Sequence, residues 1–184
     1  MSDIAIQASP DRRVRRTRDA LRAAFRDLFF AHGFDAISIA DIVDRADVGR
    51  STFYKHFESK DDLLAQSITP FLTVMAGACV SEAEPPGLVR VIEHFWENRR
   101  HARNVFSGGS QALMTRVLAG LIEERLPRPA CGGLPANLAA TQLATAQLAL
   151  LTQWLIGRGA CPAAVLASAL HRSAYASARA LAWT

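Results

Sequence analysis

Apolar residues recur at three- and four-residue intervals through most of the chain, which is the spacing of one face of an α-helix. The first such stripe runs from about Asp11 to His32 and contains Val14, Leu21, Ala24, Phe25 and Leu28. Gly33 follows it and tolerates a positive φ, so we predict that the first helix ends there. In that ending, Phe34 folds back onto Phe29. The alternating pattern of a strand appears nowhere, and the sequence therefore predicts an all-α protein.

A short second helix is predicted to begin after Ser38 and to end at about Ala46. Ser38 suits the N-cap, Asp41 three residues on completes a capping box, and Ile37 is placed to touch Ile42 as a hydrophobic staple. The start of this helix is therefore well marked.

A third helix is predicted over about Arg50 to Phe57, after a turn made by residues 47–49. Aspartate and glycine in that turn accept backbone conformations that larger residues resist. Two short helices that meet at an angle after a three-residue turn are typical of a helix-turn-helix.

The rest of the chain is also predicted to be helical. Ser59 and Asp62 form a second capping box before a long fourth helix, and Pro70 inside that helix predicts a kink near Thr69. The later helices are predicted at about Leu88 to Asn104, Ser110 to Leu126, Ala136 to Ile156 and Pro162 to Leu181, with Pro162 in the first helical position.

The last two helices are apolar around most of their circumference, and no Asp or Glu follows Glu124. Such helices need a covering surface. A small-residue face on the final helix consists of Ala169, Ser173, Ala176 and Ala180. This face favours a two-fold homodimer through the last two helices, with burial inside a single chain as the alternative.

Composition adds limited information. The chain has 184 residues, of which 50% are hydrophobic and 21% charged, with a net charge of +4, as in ordinary globular proteins. The excess positive charge is clustered in the first predicted helix, at Arg12, Arg13, Arg15, Arg16, Arg18, Arg22 and Arg26. Residues 1–10 lack an apolar run, no segment is long enough for a membrane span, and three widely separated cysteines suggest no pairing, so we expect a cytoplasmic protein.

The outward face of the third helix carries the candidate chemistry. Phe53 and Phe57 lie one turn apart and point inward. The opposite side places Arg50, Ser51 and Lys55 for base edges in a major groove, with Thr52, Tyr54 and His56 on the flanks and Tyr54, His56 and Lys60 nearer phosphates. The alternative is a solvated helix face without a ligand.

The segments Ser51-Thr52-Phe53-Tyr54-Lys55-His56-Phe57 and Ser59-Lys60-Asp61-Asp62-Leu63-Leu64 resemble the DNA-binding signature of the tetracycline-repressor (TetR) family. The resemblance covers about Arg15 to Leu64. It implies a flexible N-terminus at 1–10, a helix-turn-helix domain at 11–59 and a helical ligand-binding and dimerisation domain at 60–184. Asp47 and Gly49 depart from the family pattern, which usually has glycine and a hydroxyl residue at those positions.

Carried over by position, the resemblance implies that Arg50, Ser51, Tyr54, Lys55, His56 and Lys60 contact DNA, and that Ser38 opens a helix whose N-terminus meets phosphate. It also implies a small-molecule effector inside the larger domain. Inward-pointing candidates for that pocket are Phe71, Met75, Phe95, Phe106, Met114, Leu151 and Trp154, any of which could instead be plain core.

We therefore expect a DNA-binding transcriptional regulator that acts as a repressor. It is expected to bind a palindromic operator as a homodimer and to need no cofactor. A dimeric small-molecule-binding or interaction protein with a vestigial helix-turn-helix is the alternative. An enzyme is disfavoured, because the sequence offers no nucleophile with an adjacent base. His94, Glu97 and His101 have a spacing that a metal could use, and Cys161 could sense oxidants, but solvated side chains explain both sets.

Overall fold

The computed structural model describes residues 10–99, 108–126 and 134–182, and within these ranges it contains eight helices and no strand. The helices are α1 (Pro10–His32), α2 (Ile39–Arg45), α3 (Arg50–Tyr54), α4 (Lys60–Gly77), α5 (Leu88–Glu97), α6 (Gly108–Glu123), α7 (Ala136–Leu155) and α8 (Ala163–Ala182). The all-α prediction is confirmed. Within the described part of the chain, no helix combines the length and the apolarity that crossing a membrane requires.

The end of α1 has the predicted geometry. Gly33 has a φ of 80°, and its N–H donates to the Phe29 carbonyl at 2.9 Å. The Phe34 ring then packs edge-on against Phe29, with 6.2 Å between ring centroids. Glycine is needed at this position because a side chain would be strained at that φ.

The capping box of α2 is also confirmed. The Ser38 hydroxyl accepts from the Asp41 N–H at 3.2 Å, and the Asp41 carboxylate accepts from the Ser38 N–H at 2.7 Å. These hydrogen bonds from the Ser38 side chain and backbone, together with the nearby charge of His32, lower the pKa of Asp41 against a small opposing effect of burial.

The second predicted box, at the start of α4, is only half formed. The Ser59 hydroxyl accepts from the Asp62 N–H at 3.0 Å, as expected. The Asp62 carboxylate, however, accepts from the N–H of Glu58, one residue before the cap. The helix start is correctly predicted, but the reciprocal bond reaches a different amide.

Other boundaries also differ from the predictions, and α6 begins at Gly108 and ends at Glu123 instead of running from Ser110 to Leu126. Regular helix α3 ends at Tyr54, although the Phe57 N–H still donates to the Phe53 carbonyl at 2.9 Å. Helix α5 ends at Glu97 with Asn98 as its C-cap, so the predicted continuation fails at Asn98, and residues 100–104 lie outside the described residues. The carbonyl of Pro162 accepts the first bonds of α8, which makes Pro162 the residue before the helix.

Helix α4 runs through Pro70 without interruption. The proline therefore does not end the helix, although it has no N–H to donate to the Gln66 carbonyl. A bend near Thr69 remains a prediction.

One hydrophobic cluster, from Leu21 to Ala178, forms the core of the described residues. Helices α1, α2 and α3 pack on one another around Leu21, Phe25, Ile42, Phe53 and Phe57, all of which are almost fully buried. Helix α6 packs against α4 and α7, and α8 packs against α5 and α7. The buried residues of all these helices belong to one hydrophobic cluster, and we refer below to α1–α3 as the N-terminal helices and to α4–α8 as the helical body.

A close contact joins the loop after α1 to the start of α6. The Gly109 N–H lies 3.4 Å from a carboxylate oxygen of Asp35. A β-carbon on Gly108 would come within 2.3 Å of that carboxylate, and one on Gly109 within 2.8 Å. The two glycines thus allow an acidic side chain to approach a helix N-terminus, which favours negative charge.

The left-handed backbone at Asp47, with a φ of 53°, generates a stability prediction. Asp47→Val should lower the free energy of unfolding by about 1 to 2 kcal/mol, because a β-branched residue resists this conformation. Asp47→Asn is the matched control and should change it by less than about 0.5 kcal/mol, since asparagine tolerates the same backbone. Urea unfolding of both variants measures this difference. Equal stability of the two would contradict the role assigned to the turn.

Candidate nucleic-acid interface

The side chains of α3 and the turn after it divide into an inner and an outer set. Phe53 is 0% exposed and Phe57 is 1% exposed, and their rings pack with centroids 5.7 Å apart. The outer set is formed by Arg50, Ser51, Tyr54 and Lys55, which are exposed, and by Thr52 and His56, which are half-buried. This is the division that the sequence predicts.

The aromatic residues hold α3 in place. Tyr54 packs edge-on against Phe53, with a centroid distance of 5.5 Å, yet remains 52% exposed. Its ring therefore packs against the core while the residue stays exposed. An exposed surface with a hydroxyl, two cations and a serine suits hydrogen bonding to bases and phosphates.

The turn before α3 accommodates both departures from the family pattern. Asp47 adopts the left-handed conformation usually taken by glycine. Gly49 is the N-cap with an ordinary φ of −73° and no side-chain cap bond. A β-carbon there would meet only ordinary contacts at 3.9 Å, so the site has room for the hydroxyl residue that it lacks.

Two predicted contact residues have structural roles as well. The Lys60 ammonium donates to the carbonyls of Phe34 at 2.7 Å and Ile37 at 2.8 Å, and lies 4.3 Å from the Phe34 ring centroid. The Ser38 hydroxyl is engaged in the capping box with Asp41. Lys60 therefore has one of its three N–H hydrogens left for a phosphate. At Ser38 the hydroxyl is already used, so a phosphate would meet the backbone N–H groups at the start of α2.

The sequence does not predict the contacts of Arg18. Its guanidinium carbon lies 5.9 Å from the Phe57 ring centroid, and its side chain also donates to the Gln66 amide on α4. Arg18 therefore links α1 to both the end of the helix-turn-helix and the body of the protein. Nothing in the local sequence distinguishes it from its neighbouring arginines.

Among the described residues, the predicted pocket candidates do not all line one cavity. Met75, Met114, Leu151 and Trp154 are buried core residues, and Trp154 packs on Trp96 with ring centroids 4.5 Å apart. Phe106 lies outside the described residues. Phe71 and Phe95 alone line a common cavity, which has a volume of about 250 Å³ and is bounded by α1, α4 and α5.

The structure adds little support for a metal site or for a reactive cysteine. Among the described residues, no three His, Cys, Asp or Glu side chains converge to hold a metal, and His101 lies outside those residues. Cys161 is half-buried, and its carbonyl accepts from the Trp154 indole at 3.0 Å. Burial raises the pKa of the Cys79 thiol to about 12, against an opposing hydrogen bond from Gln147, so Cys79 is unsuited to thiolate chemistry.

The segment that carries this surface matches a protein-family model. Residues 21–66 match the family model described as bacterial regulatory proteins, tetR family. The match includes all of α2 and α3, the turn between them and the start of α4.

Two curated relatives share this region. The HTH-type transcriptional regulator TcmR of Streptomyces glaucescens is 31% identical over 113 residues, which is 61% of this chain and 43% of the relative. The uncharacterized HTH-type transcriptional regulator YxbF of Bacillus subtilis is 42% identical over 59 residues, which is 32% of this chain and 16% of the relative. The alignments thus span less than half of either relative.

The fold also has a close counterpart among solved structures. A TetR-family regulator from Streptomyces coelicolor superposes with a TM-score of 0.62 at 22% identity, and the alignment covers 89% of this chain and 95% of that one. Similarity at this level of identity extends the shared fold beyond the N-terminal helices. The chain thus combines a segment that matches the tetR family model with an overall fold that it shares with a solved TetR-family regulator.

Proposed function

We propose that the chain is a cytoplasmic transcriptional repressor that binds a palindromic operator as a homodimer and responds to a small molecule. The observation that carries this proposal is the exposed polar face of α3, held on a buried Phe53–Phe57 pair. A helix anchored in this way can enter a major groove without losing its own packing.

The proposed contacts fall into two groups. Arg50 and Ser51 at the start of α3, and Lys55 at its C-cap, are exposed and would read base edges. Tyr54, His56 and Thr52 on its flanks, Lys60, and the N-terminus of α2 at Ser38 would contact the backbone. Backbone contacts fix the register, while the base contacts carry sequence information.

The proposed dimer uses α7 and α8. Ser173, Ala176 and Ala180 on α8 are exposed in the single chain, and Ala169 on the same face is half-buried. On α7, Leu138 is 53% exposed and Leu150 is 39% exposed. Pairing these faces about a two-fold axis would cover them and would present two α3 helices to successive major grooves about 34 to 36 Å apart, or a multiple of that spacing.

The proposed division of labour assigns DNA binding to residues 11–59, and dimerisation and effector binding to residues 60–184. Of the predicted N-terminal segment 1–10, residues 1–9 lie outside the described residues. An effector that favours a different spacing of the two α3 helices would weaken operator binding, typically by about 1 to 3 kcal/mol.

Lys55→Ala tests the DNA-reading role of α3. Lys55 is exposed, so the variant should fold normally but lose about 1 to 3 kcal/mol of discrimination at defined base pairs. The operator is first selected from a random DNA pool with the unaltered protein, and affinities are then measured for single-base variants of that operator. If Lys55→Ala weakens every sequence alike, base recognition by this residue is refuted, and if no sequence is selected, DNA binding itself is refuted.

Lys60→Met provides a contrasting variant, because methionine keeps the alkyl stem but removes the ammonium that bonds to two carbonyls. We expect the free energy of unfolding to fall by about 1 to 3 kcal/mol. We also expect DNA affinity to weaken for all sequences, with a smaller salt dependence. Urea unfolding and salt titrations of binding measure the two effects. A variant with full stability would show that the carbonyl bonds contribute little.

Ala176→Glu tests the proposed dimer. The residue is exposed in the single chain, so its replacement should leave the fold intact while a charge on the small-residue face prevents close helix approach. Sedimentation velocity should show a dimer for the unaltered protein and a monomer for the variant. Ala164→Glu, an exposed change in the first turn of α8, is the control and should remain dimeric. A dimer that survives Ala176→Glu would place the interface elsewhere.

A further inference from the structure

A cavity of about 250 Å³ lies where α1 of the helix-turn-helix meets α4 and α5 of the helical body. Arg26 and Phe30 of α1 form one side, Ser67 and Phe71 of α4 a second, and His94 and Phe95 of α5 a third. Pockets for drug-sized ligands have volumes of about 300 to 1,000 Å³. This smaller cavity therefore suits a molecule with one or two rings.

The walls of the cavity are flat and aromatic. The Phe71 ring stacks on the His94 imidazole with centroids 4.9 Å apart and an interplanar angle of 7°. The Phe95 ring lies 5.9 Å from Phe71 at an angle of 53°. Aromatic rings favour offset-stacked and edge-on partners, so these walls favour a planar ring over an aliphatic chain.

The charges around the cavity favour an acid. No Asp or Glu is among the described residues that line it, whereas Arg26 is. The polar groups of Ser67 and Asn98 already donate within their own helices, to the carbonyls of Leu63 at 2.7 Å and His94 at 2.8 Å. Arg26, an exposed residue at the edge of the cavity, is therefore the lining residue with a permanent positive charge.

Arg26 has no competing carboxylate among the described residues. The ion pairs of the described chain involve other arginines, and Asp27, the neighbouring acid in sequence, pairs with Arg45 at 3.2 Å. A guanidinium in this situation can bind an incoming carboxylate through two parallel hydrogen bonds.

We propose that this cavity binds a small aromatic carboxylic acid, with its ring against Phe71 and Phe95 and its carboxylate on Arg26. The inference rests on the proposed function, since it names the chemical class of the effector. It also gives the effector a direct means of control, because Arg26 and Phe30 belong to the first helix of the DNA-binding unit. A ligand that bridges α1 to α4 and α5 changes the energy of moving that unit relative to the body.

Thermal unfolding of the full-length protein tests the site with four probes: benzoate, 2-naphthoate, benzyl alcohol and hexanoate. The two aromatic acids should raise Tm in a concentration-dependent manner, and benzyl alcohol and hexanoate should do so less or not at all. Arg26→Gln should weaken the affinity for the aromatic acids by at least about tenfold, the loss expected for a charge-assisted hydrogen bond. Arg90→Gln, which alters an exposed arginine of α5 outside the cavity, is the matched control and should bind as the unaltered protein does.

Blocking variants locate the site. Ser67→Leu and Ile68→Trp enlarge side chains at the cavity and should abolish the Tm increase by the aromatic acids, provided that each variant without probe unfolds as one cooperative transition. Two variants are used so that one can replace the other if it misfolds. The proposal is overturned if no aromatic acid raises Tm, if Arg26→Gln binds them as well as the unaltered protein, or if binding survives the blocking variant.

The same preparations are titrated with the selected operator in the absence of probe. If the unaltered protein does not bind the operator, the proposed function is refuted, while the ligand-binding result still stands. Normal operator binding with no response to any aromatic acid would refute the effector class alone. A changed operator affinity on adding benzoate or 2-naphthoate, absent in Arg26→Gln, would support the inference.

Discussion

The burial of two phenylalanines under a very short helix is the constraint on which the rest of this structure depends. Helix α3 has five residues, far fewer than a helix needs to persist alone in water. Phe53 and Phe57 bind it to a hydrophobic cluster shared with α1 and α2, and their burial keeps the opposite face exposed. The buried side chains of Phe53 and Phe57, which cannot touch DNA, thus determine which face of α3 is exposed to it.

Local signals in the sequence were sufficient for this N-terminal unit. Gly33, the Ser38–Asp41 box and the turn at residues 47–49 each act within a few residues, and each has the predicted role in the structure. Errors occur where partners compete. The Asp62 carboxylate accepts from the Glu58 N–H instead of the Ser59 N–H, and α5 ends at Glu97, where the Asn98 side chain donates to the His94 carbonyl. Sequence spacing does not decide between two amides of similar position.

The contacts of the pocket candidates and of Lys60 depend on packing between distant parts of the chain, which the sequence does not reveal. Phe71 and Phe95 were among the predicted pocket residues, but Met75 and Leu151 were indistinguishable from them by residue type and proved to be core. Arg26 and His94 reach the same cavity from helices that are far apart in the chain. Lys60 likewise has the sequence position of a phosphate contact, and only the fold places its ammonium on two carbonyls.

The contact of Asp35 with Gly108 and Gly109 constrains how this protein can change over generations. Because both glycines lie so close to one carboxylate, a larger residue at either position displaces that side chain, whereas loss of Asp35 leaves the start of α6 without its negative neighbour. The three positions should therefore drift together among descendants of this sequence. A lineage that abandons the acid becomes free to fill Gly109, whereas Gly108, with a φ of 60°, still favours glycine.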